Sequence, residues 1–189
     1  MEVARDNILQ RVRAALRVEA HRPPSVTSAL IFPTVTNPEA RFKEEFKMLR
    51  GELIESVDEF LKGFATIVTD GSELVQATIG AGNAGIRDAE LGVTSCDCLI
   101  AQTGSVVIST HSAGDRALSV LPPTHLVIAR REQIVADLAA ATAFLRRRYD
   151  GHWPSALSVI TGPSRTADIE KILVMGAHGP KRIAVYFAG

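Results

Sequence analysis

The sequence predicts an α/β domain, an open and mainly parallel sheet with helices on both faces, preceded by an N-terminal helical segment. Three observations predict it. Short apolar runs rich in β-branched residues, of which 64–69 is the clearest, are bounded by turn residues and read as buried parallel strands. Segments with apolar residues every three or four positions alternate with those runs, as strand–helix–strand units require. A chain of 189 residues, 46% apolar and 22% charged, is long enough to close one core without disulfides or metals. On this pattern residues 1–62 form a helical segment packed on an α/β domain of residues 63–189.

The elements follow in order. Ile8, Val12 and Leu16, with Leu9 alongside, mark a first helix. Pro23 and Pro24 end it, since proline lacks the amide donor and clashes with the preceding turn. Asn37-Pro38 starts a second helix, with Asn as cap and Pro in the first position. Phe42, Phe46, Leu49, Leu53, Val57 and Phe60 extend it as one apolar stripe for the core. After the strand at 64–69, Asp70-Gly71 turns the chain and Ser72 caps a short helix through Ile79. Residues 98–101 and 105–109 flank Thr103-Gly104 as a hairpin. A strand at 126–129 precedes a helix at 131–148 that buries Ile134, Leu138, Ala141 and Leu145. A strand at 156–161, a helix from 166 to about 175 and a strand at 182–187 complete the chain.

Composition excludes several classes. Lys plus Arg and Asp plus Glu balance at 21 each, so no general field draws the chain to nucleic acid or an anionic membrane. No apolar run approaches the length of a membrane span, and the mixed-charge first residues do not resemble a secretory signal. The only cysteines are Cys96 and Cys98. They make no disulfide framework, and a lone C-x-C without matching Cys or His spacing reads as buried, metal-free thiols, with His111, His125 and His178 unsupported as further ligands. These features point to a cytoplasmic protein.

Several motifs carry possible chemistry. Residues 80–85 spell GxGxxG, but they follow a helix and lack an acidic residue about 20 positions on, so they read as a loop and not as a dinucleotide site. Gly162-Pro163-Ser164-Arg165-Thr166 and the following Asp168 and Glu170 lie where a strand gives way to a helix. There, free helix N–H groups and the Arg165 fork suit an anion, while simple capping by Ser164 or Thr166 explains the same residues equally well. His125, after Leu121-Pro122-Pro123-Thr124, is either a donor, base or ligand, or a satisfied structural histidine. His178 carries the same two readings, and Arg146-Arg147-Arg148 reads as a solvated helix end. Ligands of open α/β sheets bind outside the carboxyl ends of strands, which is where Gly104, His125 and Gly162 to Arg165 are expected to meet.

Thr103-Gly104, the run RALSVLPPTH from Arg116 to His125, GPSRTADIE from Gly162 to Glu170, and GAHGP from Gly176 to Pro180 together resemble the lactate-utilisation protein C family, the LUD-domain proteins. The match runs from about residue 88 to 187, and the GPSRTADIE run is its most specific part. The resemblance implies a fold like that of ribose-phosphate isomerases and CoA transferases. It also implies a role in bacterial L-lactate oxidation to pyruvate, beside partner proteins that carry the iron–sulfur clusters. The chain itself would then need no cofactor. It would bind a small carboxylate, or shape its site, through Gln102, Thr103, Gly104, Arg116, His125, Gly162 to Thr166, Asp168, Glu170 and His178. Gln102 stands where the family often has Glu, and an amide cannot take a proton or act as a carboxylate nucleophile. No nucleophile, base and orienting group can be assembled into a catalytic set from the sequence. The alternative on fold likeness is a stand-alone enzyme for a phosphorylated or CoA-linked substrate.

Overall fold

The structure is a computed structural model that describes residues 2–18, 34–112, 116–166, 174–176 and 178–189. The chain divides into two compact units, Met1–Pro33 and Thr34–Gly189. The first holds α1 (Glu2–Leu16), with Ile8, Leu9, Val12 and Leu16 all exposed. The expected break at Pro23-Pro24 lies outside the described residues. The second unit contains, in order, α2 (Pro38–Met48), β1 (Glu52–Ile54), α3 (Val57–Leu61), β2 (Ile67–Thr69), α4 (Glu73–Ile79), β3 (Leu91–Thr94), β4 (Cys98–Ile100) and β5 (Ser105–Ser109). It continues with β6 (Thr124–Ala129), β7 (Ile134–Val135), α5 (Leu138–Tyr149), β8 (Leu157–Ile160), β9 (Arg165–Thr166), β10 (Val174–Met175) and β11 (Arg182–Phe187).

A five-stranded sheet in the order β1-β11-β6-β3-β2 is parallel throughout. A four-stranded mixed sheet runs β7-β4-β5-β8. Alternation along the central strands assigns the layers. Leu126 and Ile128 of β6 pack with Leu91 and Val93, Val57 of α3 and Val75 of α4. Val127 and Ala129 point the other way, into a cluster with Ile183, Val185, Phe42 and Phe46 of α2, and Leu99, Val106 and Ile108 of the mixed sheet. The far side of the mixed sheet, Cys98, Ile100 and Val107, packs on Ala141, Leu145 and Tyr149 of α5. One face of the parallel sheet is therefore covered by α3 and α4, as the alternating pattern predicts, and the other by α2 together with the mixed sheet.

Local signals held where caps and prolines act alone. The Asn37 side chain accepts from the Ala40 amide at 3.1 Å, and Ser72 caps α4, which ends at Ile79. Three expectations are corrected. The stripe from Phe42 to Phe60 is not one helix: Arg50, at φ 67°, and Gly51 break it, and β1 follows. Its residues divide between layers, with Phe42, Phe46 and Leu53 on one side of the sheet and Val57 and Phe60 on the other. The helix expected at 131–148 starts at Leu138, capped by Asp137, because Ile134 and Val135 pair with β4; Leu138 is exposed. Arg165-Thr166 and Val174-Met175 form an antiparallel strand pair and not the two ends of a helix; residues 167–173 between them lie outside the described residues. The central strand β3 carries no flag in the sequence, since Leu91-Gly92-Val93-Thr94 has neither length nor strong alternation.

The 3-10 turn Ala101–Thr103 ends at Gly104, whose φ of 60° places it in the left-handed region. A Cβ there would lie 2.6 Å from the Phe46 nitrogen. Gly104→Ala is therefore expected to lower the unfolding free energy by at least about 2 kcal/mol, since left-handed strain and overpacking add. Urea unfolding measures this, and an unchanged midpoint would show that α2 yields at no cost.

Candidate functional site

The motif segments assemble through backbone hydrogen bonds. Lys181 N and Arg182 N donate to Pro123 O at 2.8 and 3.3 Å, joining the proline turn to the end of the GAHGP run. Ser164 N donates to Pro180 O at 2.9 Å, and Gly176 N donates to Ser164 O at 2.9 Å. Hydroxyl contacts carry the belt further: Thr103 Oγ1 lies 2.7 Å from Ser105 Oγ, which lies 2.8 Å from Thr161 Oγ1. Gly162, at φ 80°, abuts the end of α2, where an added Cβ would meet Leu49 O at 2.9 Å. The Thr103-Gly104 turn and the Thr161-to-Arg165 segment are thus held side by side.

The location differs in part from expectation. The proline turn and the GAHGP run lead into β6 and β11, at the amino ends of those parallel strands, while Gly162 to Arg165 follow the carboxyl end of β8. The physical reason is connectivity: the proline turn and the GAHGP run precede the strands they border. A cleft of about 450 Å³ opens here, lined by Val120, Leu121, Pro123, Gly176, His178, Gly179 and Lys181. Apolar side chains form one part of its wall, and Lys181 and His178 supply polar groups. Lys181 and Arg165 have no ion-pair partner among the described residues. Arg165 and His178 are exposed and Pro163 is buried. Arg116 is exposed on the 3-10 turn Arg116–Ser119, shortly before Val120 and Leu121. Half-buried Gln102 donates its backbone amide to Ala136 O at 2.9 Å, and half-buried Thr166 pairs with Val174. Asp168 and Glu170 lie outside the described residues.

His125 sits beneath the belt, wholly buried in β6 between Gly92 and Ile183 of the neighbouring strands. Its Nε2 lies 2.9 Å from Thr94 Oγ1, and its Nδ1 has no partner among the described residues. Burial pushes its pKa down to about 4, so the ring is neutral at pH 7. A neutral imidazole costs far less to bury than a charged one.

A second polar cluster escaped the sequence reading. Asp97, wholly buried, accepts from Tyr149 OH at 2.5 Å and from Ser112 Oγ at 2.9 Å, and pairs with Arg148 Nε at 3.2 Å. Ser109 Oγ lies 2.8 Å from Tyr149 OH, completing the set. Arg148 pairs with this buried carboxylate, while all three arginines of the run stay exposed at the helix end, as expected. The readable signal was an aspartate between two cysteines in an otherwise apolar strand region. Its partners, 52 residues away at Tyr149, were not readable. Cys96 and Cys98 are free and buried; burial raises both thiol pKa values, that of Cys98 to about 12, so neither is a ready nucleophile or metal ligand. No group of three or more His, Cys, Asp or Glu among the described residues has the placement to hold a metal. The GxGxxG stretch is the loop it was expected to be: Asn83 closes it by accepting from Ile67 N at 2.8 Å and donating to Ala65 O at 3.0 Å. Among the described residues no helix is long and apolar enough to cross a membrane.

Fold and site together define an α/β protein of two packed sheets, with its distinctive loop motifs gathered at one end of the parallel sheet. The chain belongs to the LUD domain family, whose model matches residues 40–188. It is 34% identical over 143 residues to lactate utilization protein C of Bacillus licheniformis, covering 70% of this chain and 60% of that protein. It is 32% identical over 121 residues to the protein of that name from Bacillus subtilis, covering 61% of this chain and 50% of that protein. Among solved structures it is similar to a DUF162 family protein from Deinococcus radiodurans, with a TM-score of 0.58, 20% identity, and coverage of 80% of this chain and 96% of that chain. The chain thus spans about half to 60% of the length of these curated relatives.

The buried histidine sets a pH dependence. An unfolded histidine titrates near 6.5 and the folded His125 near 4, so the unfolded chain binds the extra proton between those values. The contribution is intact above about pH 6.5 and is lost as pH falls toward 4. Between pH 7 and 5 the unfolding free energy is expected to fall by about 2 kcal/mol on account of His125 alone. His125→Gln should flatten that slope in urea titrations at the two pH values. An equally steep slope in the variant would place the titration elsewhere.

Proposed function

We propose that this chain is a component of a lactate oxidation system that holds no cluster of its own and binds a small carboxylate in the cleft beside Lys181. The observation that carries the reading is Lys181, without an ion-pair partner among the described residues, in a small cleft with apolar walls built from the proline turn and the GAHGP run. A two- or three-carbon acid presents the same two faces, an anion and a short apolar end. Arg165, close to Gly162, adds a second cation on the same belt without an ion-pair partner among the described residues, and a guanidinium grips a carboxylate with two parallel bonds. The names of the relatives support the lactate context. The electrons removed from lactate would pass to iron–sulfur partner proteins in the cytoplasm, as the family resemblance implies.

Calorimetry with lactate, pyruvate and inorganic phosphate tests this. Lactate or pyruvate is expected to bind. Lys181→Ala and Arg165→Ala should each weaken binding about ten- to a hundredfold, the effect of losing a charge-assisted bond worth roughly 1.5–3 kcal/mol. Arg165→Lys should recover only part of its loss. Both alanine variants should keep the wild-type unfolding midpoint to within about 0.5 kcal/mol. Binding of phosphate in preference to either acid would overturn the carboxylate reading in favour of a phosphorylated or CoA-linked substrate.

A further inference from the structure

Glycine at a positive φ has an ordinary explanation, since a side chain there is strained and the turn alone accounts for it. Gly176, at φ 75°, invites that explanation, but the space beside it is filled. A Cβ at Gly176 would overlap Lys181 Cγ and would lie 3.2 Å from its Cε and 3.3 Å from its Cδ. Carbons that are not bonded pack at about 3.5–4.0 Å, so a methyl group and this lysine stem claim the same place. The stem therefore lies along the bare α-carbon of Gly176. Gly80 and Gly151, also at positive φ, have nothing within 4 Å of the same position.

Neither side of this contact moves aside cheaply. Gly176 follows β10 directly, and its amide donates to Ser164 O at 2.9 Å, next to the Met175–Arg165 pair. Lys181 is held by its own amide, which donates to Pro123 O at 2.8 Å. The overlapping atom is Cγ, near the root of the side chain. Clearing it means turning χ1 into another staggered well, which swings the whole arm and its ammonium. Gly176 and Lys181 line the same cleft, and Lys181 has no ion-pair partner among the described residues. Among those residues no acid aims the ammonium, whereas the contact under the stem does.

We propose that Gly176 is a positioning residue for Lys181: it seats the lysine stem, so that the ammonium is aimed into the cleft before a ligand arrives. The inference rests on the reading of that cleft as a carboxylate site, and it adds how the site is ordered. A free lysine arm has several rotatable bonds, and ordering them on binding weakens affinity. A seated arm has already lost that freedom during folding. A small acid makes few contacts, so an ammonium ordered in advance matters more for it than for a large ligand. The turn alone would need glycine at 176 whatever residue stood at 181. The seat makes the two positions depend on each other.

Gly176→Ala, Lys181→Ala and the double variant of the full chain form a cycle that tests this without a ligand. Gly176→Ala is expected to lower the urea midpoint of the wild type. In Lys181→Ala, where Cγ is gone and only the strain of the turn remains, it should lower the midpoint clearly less. Equal shifts in both backgrounds overturn the seat. Side-chain carbon NMR relaxation reads the arm itself. The ε carbon of Lys181 should be more ordered than that of exposed Lys47, and Gly176→Ala should bring it to the Lys47 level. A wild-type arm as mobile as Lys47 overturns the proposal. In calorimetry with pyruvate, Gly176→Ala should weaken binding roughly tenfold and add no further loss to Lys181→Ala. Unchanged affinity in Gly176→Ala overturns the aiming role. A wild type that binds no pyruvate removes the carboxylate reading, and the urea and relaxation measurements still decide the seat.

Discussion

Much of this molecule depends on one contact: the last turn of α2 lies directly on the backbones of Gly104 and Gly162. Those glycines end two neighbouring segments of the mixed sheet. Because neither carries a Cβ, the helix approaches closely enough for Phe42 and Phe46 to fill the space between the two sheets, where both rings are wholly buried. Burial of two such rings contributes several kcal/mol, on the order of 1.5–3 each. The same contact fixes where Thr103, Thr161 and Arg165 stand. Packing and site geometry are therefore one constraint at this point, and a side chain added at either glycine disturbs both.

His125 and Asp97 are both wholly buried and are treated in opposite ways. His125 is kept neutral by desolvation, with one ring nitrogen bound to Thr94 and the other unsatisfied among the described residues. Asp97 is surrounded by Tyr149, Ser112 and Arg148, which meet the needs of a carboxylate. The difference in magnitude decides the difference in design. Leaving a buried charge without its partner costs about 3–5 kcal/mol, whereas an unsatisfied neutral nitrogen costs about 1–3 kcal/mol. The cluster around Asp97 joins β5 and α5 to the segment between β3 and β4, so it acts as a polar clamp on the far side of the mixed sheet.

The belt of family motifs is built mainly from backbone hydrogen bonds among turns. Such a construction leaves side chains free, and Lys181 and Arg165 stand at the belt without acid partners among the described residues. It also explains why glycine and proline dominate the motifs: they shape the turns, while a few cations and hydroxyls supply chemistry. β8 runs directly into this belt at Thr161 and Gly162. Whatever braces that strand also braces Ser164 and Arg165.

The sequence by itself determined the α/β class, the caps at Asn37 and Ser72, the hairpin about Thr103-Gly104, the family, and the reading of 80–85 as a loop. Each depends on residues close together along the chain, where capping, turn chemistry and periodicity act without help. Only the tertiary structure decided the rest. The stripe from Phe42 to Phe60 kept helical spacing across a three-residue strand, because a short strand barely disturbs the count of positions, and only layer packing shows that its two halves face opposite sides of the sheet. Ile134 and Val135 left their expected helix because pairing with β4 outweighed local preference. The proline turn and the GAHGP run meet at the amino ends of β6 and β11 because sheet order, set by contacts distant in sequence, determines which loops become neighbours. Asp97 and Tyr149 met for the same reason: a buried carboxylate must find its donors wherever the fold brings them, and nothing in the local sequence encodes that distance.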